Sequence, residues 1–251
     1  IGDFVINSCK MIGINTLLLE KVSNFKNTLA IVDTMGDKTN AVLYREKPAD
    51  LFIDETFLKK VNLDSYLMII VTGTSLSRNP SRNNVLKLME LAVKRKIEIV
   101  LDIDYREGSW DDKKKAEKTL YSASLLSNIV VGNDLEFNFM SSDKNRGLSL
   151  ASKLSKKNRI TTIYKMGSKG LYYFNKNNKH YFKSFKVKSI KPTGAGDAFI
   201  SSFCSSKLRG VELSESIKFG AAAGAIVVTR VGCSKAMPTL LEIKEFIKKY
   251  N

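Results

Sequence analysis

From Tyr66 onward the chain alternates short apolar runs with amphipathic ones, and that alternation restricts the fold more than any single residue does. Tyr66–Thr72, Ile97–Ile103, Asn128–Val131 and Ile160–Lys165 are compact and rich in β-branched side chains, the character of strands covered on both faces. Between them, helical spacing runs from Pro80 to Lys96, from a cap at Ser109 to about Ser127, briefly from Asn133, and over Gly147–Lys157. Pro80 suits the first helical position, where a missing N–H costs nothing. Strand–helix–strand alternation implies an α/β fold: a parallel, doubly wound sheet with helices on both faces. Its ligands should sit beyond the carboxyl ends of the strands.

The segments flanking this core are different in kind. Asp3–Ile12 has helical spacing and stops at Gly13. Thr28–Met35 and Asn40–Arg45 read as two strands joined by Gly36-Asp37-Lys38-Thr39, a hairpin of lid size. After the core, Leu171–Val187 alternates as antiparallel strands, and helices are expected over Gly194–Leu208, Leu213–Thr229 and Thr239–Lys249. Neither a repeat nor a low-complexity linker divides the chain. Residues 1–251 therefore read as a single domain, with lid strands at about 27–46.

Composition removes several function classes. No apolar run approaches the ~18 residues of a membrane span, and Ile1–Lys10 lacks the basic-then-apolar order of a signal peptide. Cys9, Cys204 and Cys233 are too widely spaced for a zinc site or a disulfide framework. A cytoplasmic protein without a membrane partner is the expectation. The net charge of +16 comes from lysines spread along the whole chain, without an aromatic-and-basic stripe, so no specific nucleic-acid partner is expected. The single histidine, His180, opens an alternating stretch and reads as an exposed strand residue. A Ser-His-Asp triad or a multi-histidine metal site has little to build on, which leaves a carboxylate or a lysine as base.

The strongest chemical signal is Lys191-Pro-Thr-Gly-Ala-Gly-Asp197-Ala-Phe199 at the start of a helix. Small residues let the backbone approach an anion, and the helix start offers free N–H groups. A carboxylate there repels phosphate, so Asp197 makes sense as a general base beside the N–H groups. In isolation it could equally be an acidic residue favoured by the helix dipole. Asn133-Asp-Leu-Glu136 could orient a hydrated magnesium ion, or simply cap a helix. Lys165-Met-Gly-Ser-Lys-Gly170 ends a strand and begins a hairpin.

Thr193-Gly-Ala-Gly-Asp-Ala-Phe199 resembles the C-terminal signature of the PfkB, or ribokinase-like, carbohydrate kinases. The resemblance implies a three-layer α/β/α sandwich with a small β lid. It also implies that Gly194, Ala195 and Gly196 form an anion hole and that Asp197 is the base. Asn133 and Glu136 would match the family's N-x-x-E motif and position Mg2+ through water. Lys165, Gly167, Gly170 and Thr193 would serve ATP, with Lys165–Gly170 as the nucleotide-binding turn. A bare hairpin turn is the alternative for that segment.

Four further segments narrow the resemblance. Val42–Asp50, Thr72–Arg82, Asp102-Ile-Asp-Tyr-Arg106 with Trp110, and Gly232–Pro238 are similar to the 5-dehydro-2-deoxygluconokinases of inositol catabolism. A sugar acid would then be the substrate, and Tyr44, Arg45 and Arg106 would bind it, since guanidinium forks match carboxylates. Either arginine could instead be a structural ion-pair partner. A 2-keto-3-deoxygluconate kinase, a fructokinase, and a catalytically dead sugar- or nucleotide-binding relative are the alternatives.

Two departures accompany the resemblance. Ile1–Ile14 resembles a segment well inside these kinases, so an N-terminal strand and a sugar-binding segment are expected to be missing. Many family members carry Asp where this chain has Lys191, and that acid helps hold a potassium-like ion; lysine there puts a monovalent cation in doubt. A solvent-facing lysine is the plainer reading. Subunits pairing through the lid would fit the family.

Overall fold

The computed structural model describes residues 1–35, 38–143, 145–158, 160–191 and 193–250. Gly36 and Asp37 of the hairpin turn, and Pro192 of the glycine-rich motif, lie outside them. Helix α1 (Gly2–Met11) precedes an antiparallel ribbon of β1 (Leu29–Met35) and β2 (Lys38–Tyr44). Helix α2 (Glu55–Lys60) leads into β3 (Met68–Thr72), α3 (Ser81–Lys94), β4 (Glu98–Asp102), α4 (Lys113–Leu126) and β5 (Ile129–Asn133). Then come α5 (Asp134–Met140), α6 (Gly147–Asn158), β6 (Thr161–Lys165), β7 (Leu171–Asn175) and β8 (Asn178–Phe182). Helices α7 (Ala195–Leu208), α8 (Leu213–Val227) and α9 (Leu240–Tyr250) complete the chain.

The central sheet has the spatial order β3-β4-β5-β6-β7-β8. Strands β3 to β6 pair in parallel, and β6–β7 and β7–β8 pair antiparallel. Both faces are covered, so the α/β/α sandwich holds, but the doubly wound order does not. Sequence order and spatial order coincide, and among the described residues no switch point appears. Each parallel step moves on to the next position, and right-handed crossovers gather α3 to α6 on one face. The second face is covered by α7 and α8, which come after the last strand.

Alternation along β4 shows how one sequence serves both layers. Ile99 and Leu101 are buried in the core built with α3, α4, α5 and α6, whereas Val100 between them joins the core built with α7 and α8. Each such side chain, fully withdrawn from water, contributes roughly 1.5–3 kcal/mol. A third cluster, with Ala222, Ile226 and Ile243, seats α9 on α8.

Two local expectations shift. Helix α4 is capped by Asp112, whose carboxylate accepts from the Lys115 N–H at 2.6 Å, and not by Ser109. Ser109 closes the 3₁₀ turn Glu107–Ser109 instead. Pro80 is the N-cap of α3 and not its first helical residue. His180 is an exposed residue of β8, stacked on Tyr173 with ring centroids 4.6 Å apart. Among the described residues no helix is long and apolar enough to cross a membrane.

Candidate active site

Because β3 to β6 run parallel, their carboxyl ends open along one edge of the sheet, and several charged groups meet there. Strand β4 ends at Asp102, β5 at Asn133 and β6 at Lys165, with the start of α7 facing them. Asp102 and Glu136 are each only 8% exposed. Burial pushes the Asp102 carboxyl up to about 7; Lys165 opposes the rise, while Glu136, Asp104 and Asp197 add to it by repulsion. Burial also raises Glu136, against the Asn133 N–H and Lys165. Four carboxylates and one ammonium therefore share a single electrostatic field.

The turn into α7 is shaped by glycine. Gly194 caps the helix with φ +86, a left-handed conformation, and Val227 Cγ1 would lie 3.4 Å from a Cβ placed there. A Cβ on Gly196 would lie 3.8 Å from Lys165 Nζ, so the ammonium faces this backbone. The same Nζ is 5.4 Å from the Phe199 ring centroid. Asp197, in the first turn of α7, is exposed, and among the described residues its carboxylate has no ion-pair partner. The helix start supplies N–H donors, Lys165 supplies charge, and Asp197 presents an open acceptor at the same place.

Asn133 and Glu136 form a reciprocal capping box on α5. Asn133 Oδ1 accepts from the Glu136 N–H at 2.9 Å, and Glu136 Oε2 accepts from the Asn133 N–H at 2.7 Å. One oxygen of each is thus already used, and among the described residues no three acidic, histidine or cysteine side chains surround a metal position. The donors left over, Glu136 Oε1 and the Asp102 carboxylate, suit the water shell of a hydrated divalent cation better than direct ligation.

The turn after β6 divides its labour. Gly170 sits at φ +88, where a Cβ would meet the Phe182 carbonyl at 2.3 Å; the backbone of β8 requires glycine there. Gly167 is exposed, with open space around it. Lys165 points its charge at Gly196 and not into this turn. Thr193 contributes a carbonyl oxygen that accepts from Lys191 Nζ at 2.9 Å.

The two arginines part company. Arg45 is 12% exposed; its Nη1 donates to Ser109 Oγ at 2.8 Å and its Nη2 pairs with Asp50. Both Nη groups are engaged while the buried Nε has no partner among the described residues, so Arg45 acts as a strut between the end of β2 and the Glu107–Ser109 turn. Arg106 is 59% exposed and holds only Asp104 Oδ1, at 2.9 Å, leaving donors for a ligand. Tyr44 is exposed and lines a groove with Ile1, Lys26 and Glu46 on the ribbon. Sequence reasoning gave no role to Asp102 or Asp104, although an acid ending a buried strand was visible. Asp104 accepts from Thr74 Oγ1 at 3.0 Å, which joins the β3 and β4 loops.

Comparison with known proteins gives the chain a family. A family profile described as pfkB family carbohydrate kinase matches residues 1–240. A 5-dehydro-2-deoxygluconokinase of Clostridium perfringens (strain 13 / Type A) is 33% identical over 257 residues, covering 99% of this chain and 75% of that protein. Its counterpart in Clostridium tetani (strain Massachusetts / E88) is 31% identical over 256 residues, with the same coverage. Among solved structures, fructokinase with bound ATP from Xylella fastidiosa superposes with a TM-score of 0.85 at 20% identity, over 98% of this chain and 81% of that one.

Proposed function

Since this chain belongs to the pfkB family of carbohydrate kinases, we propose that it transfers the γ-phosphoryl group of ATP to a hydroxyl of 5-dehydro-2-deoxy-D-gluconate, with Asp197 as general base. The observation that carries the reading is the meeting of an open Asp197 carboxylate, the α7 N–H groups and the Lys165 ammonium around Gly196. Asp197 accepts the hydroxyl proton while the substrate oxygen bonds to the γ-phosphorus and the bond to ADP breaks. The amides of Gly194, Ala195 and Gly196 and the ammonium of Lys165 stabilise the charge on the transferring group. Glu136 and Asp102 would hold the water shell of a magnesium ion bound with the nucleotide, which would supply neutralising charge, and Asn133 fixes Glu136. Gly167, Gly170 and Thr193 frame the nucleotide side.

The sugar acid is favoured by the names of the relatives and by Arg106, which is exposed and half-engaged beside the edge. Arg45 supports the lid, and Tyr44 closes over the sugar from the ribbon. The whole chain acts as one kinase domain. Pairing of two copies through the lid is supported by the exposed apolar residues Ile31, Val42 and Leu43.

An ATP-coupled assay with purified protein decides the matter. Turnover with 5-dehydro-2-deoxy-D-gluconate should exceed that with 2-keto-3-deoxygluconate and fructose. Faster turnover with either of those would move the substrate assignment. ATP binding without turnover on any sugar would make the chain a binding relative.

A further inference from the structure

We propose that Lys191 is a built-in monovalent cation, a positioning residue whose ammonium holds and polarises the turn that opens α7. The activity arm of this inference rests on the kinase reading above.

Lys191 is 8% exposed. Lysine is almost never buried to that degree without an acidic partner, yet among the described residues no carboxylate lies within ion-pair distance of it. Its Nζ donates to a backbone oxygen, the Thr193 carbonyl, at 2.9 Å. Its own N–H and that of Ile190 reach the Val228 carbonyl at 3.2 and 2.7 Å, where α8 ends. The ammonium is therefore held by a backbone carbonyl oxygen, the kind of group with which protein sites hold potassium, while the Ile190 and Lys191 N–H groups anchor the backbone on the end of α8.

The chemical consequence follows from the peptide that the ammonium grips. The Thr193 carbonyl is the oxygen end of the amide whose N–H belongs to Gly194. Positive charge on that oxygen draws electron density from the nitrogen and makes the N–H a stronger donor. The same turn is braced from the opposite side. A Cβ on Gly224 of α8 would lie 3.2 Å from the Ala195 carbonyl, so a larger residue there would push the turn by a few tenths of an ångström. Lys191 and α8 together fix the Gly194–Gly196 amides before any ligand arrives.

The test uses wild type, Lys191→Ala and Lys191→Met in sodium, potassium, ammonium and tetramethylammonium salts at fixed ionic strength. Wild-type turnover should be the same in all four. Lys191→Ala should lose at least about tenfold in kcat with little change in KM, short of the ~10²–10³ for loss of a direct oxyanion donor. Potassium or ammonium should restore most of that loss, and the larger tetramethylammonium should not. Melting temperature gives a readout without turnover: potassium should raise the Tm of Lys191→Ala and leave wild type unmoved. Lys191→Met, which fills the space without charge, should stay slow in every salt. Strong potassium activation of wild type would overturn the proposal. So would an alanine variant whose kcat and Tm both ignore potassium, or a folded methionine variant with full kcat. If wild type phosphorylates no sugar, the kinase reading falls, and the melting experiment still decides the role of Lys191.

Discussion

In α1 and the β1–β2 ribbon, apolar side chains stand in water: Phe4 is 73% exposed, and no residue of α1 is buried. At the carboxyl edge of the sheet the opposite holds, because the charged side chains Asp102, Glu136 and Lys191 are withdrawn from water. A chain shaped by stability alone would exchange the two arrangements. Different kinds of bond hold the two regions. Behind the charged edge stand two packed cores, which can absorb the desolvation cost of a few buried charges. The ribbon has only two strands, too few for independent stability, and is tied down by polar struts. Arg45 grips Asp50 and Ser109, and Thr28 donates to Asp50 at 2.6 Å. Rigidity thus gathers where charge must be held still, while the ribbon is moored at a few points.

The largest expected effect lies at the charged edge. Asp197→Asn should keep the fold and ATP binding while lowering kcat by ~10²–10⁴-fold, the usual consequence of losing a general base. Steady-state kinetics with unchanged melting would sharpen the contrast; near wild-type turnover would remove Asp197 from the mechanism.

Next comes the desolvation cost itself. Asp102 has its value raised from 3.8 to about 7, so the native state keeps a proton that the unfolded chain has already released. Its contribution to stability is full below the unfolded value and disappears as pH rises through the folded one. The loss is on the order of 4 kcal/mol at most. Urea unfolding of the nucleotide- and magnesium-free protein should show that decline, and Asp102→Asn should flatten it. Equal slopes in both proteins would mean that the carboxylate is not held in a dry site.

Arg106→Leu should lower kcat/KM for the sugar acid by roughly 10–200-fold, equivalent to one charge-assisted bond. A neutral ketose should be far less affected. Equal losses on both substrates would make Arg106 a scaffold residue like Arg45.

Smallest of all should be Phe4→Ser on α1, within about 0.5 kcal/mol of wild type as for other exposed positions. A loss of several times that size would show that α1 is covered in solution, and the contrast between the two regions would break.

Much of the architecture was legible because buried strands leave a local trace. The apolar run at Ile99–Leu101 identifies β4 without knowledge of its neighbours. One-directional winding left no such trace, since sequence pattern names strands but not the order in which they lie side by side. At the candidate site, the turn at Gly194 and the helix start carrying Asp197 were readable because both are local features. The double use of Asn133 and Glu136 was foreseen as an alternative, and the capping box is what formed. For Arg45 the structural alternative could be named but not its partner, because Ser109 is 64 residues away and nothing in either segment signals the other. Asp102 and Lys191 were missed or left open for a related reason: the drying of a charged group is decided by tertiary packing. For Lys191, a solvent-facing side chain was the plainer reading, and burial overturns it.

The Arg45 strut has one more consequence, and it is optical. Trp110 is the chain's single tryptophan. It follows Ser109 directly, lies 5.5 Å beneath the Arg82 guanidinium, and buries its indole N–H with no acceptor among the described residues. The protein therefore carries its one tryptophan, which can be excited apart from the tyrosines, at the joint between ribbon and sheet. When the joint loosens, water reaches the ring and its emission moves to the red. When the ribbon flexes only at its tip, the spectrum stays still. Any loosening of the ribbon at its base can thus be followed by light from the unlabelled chain.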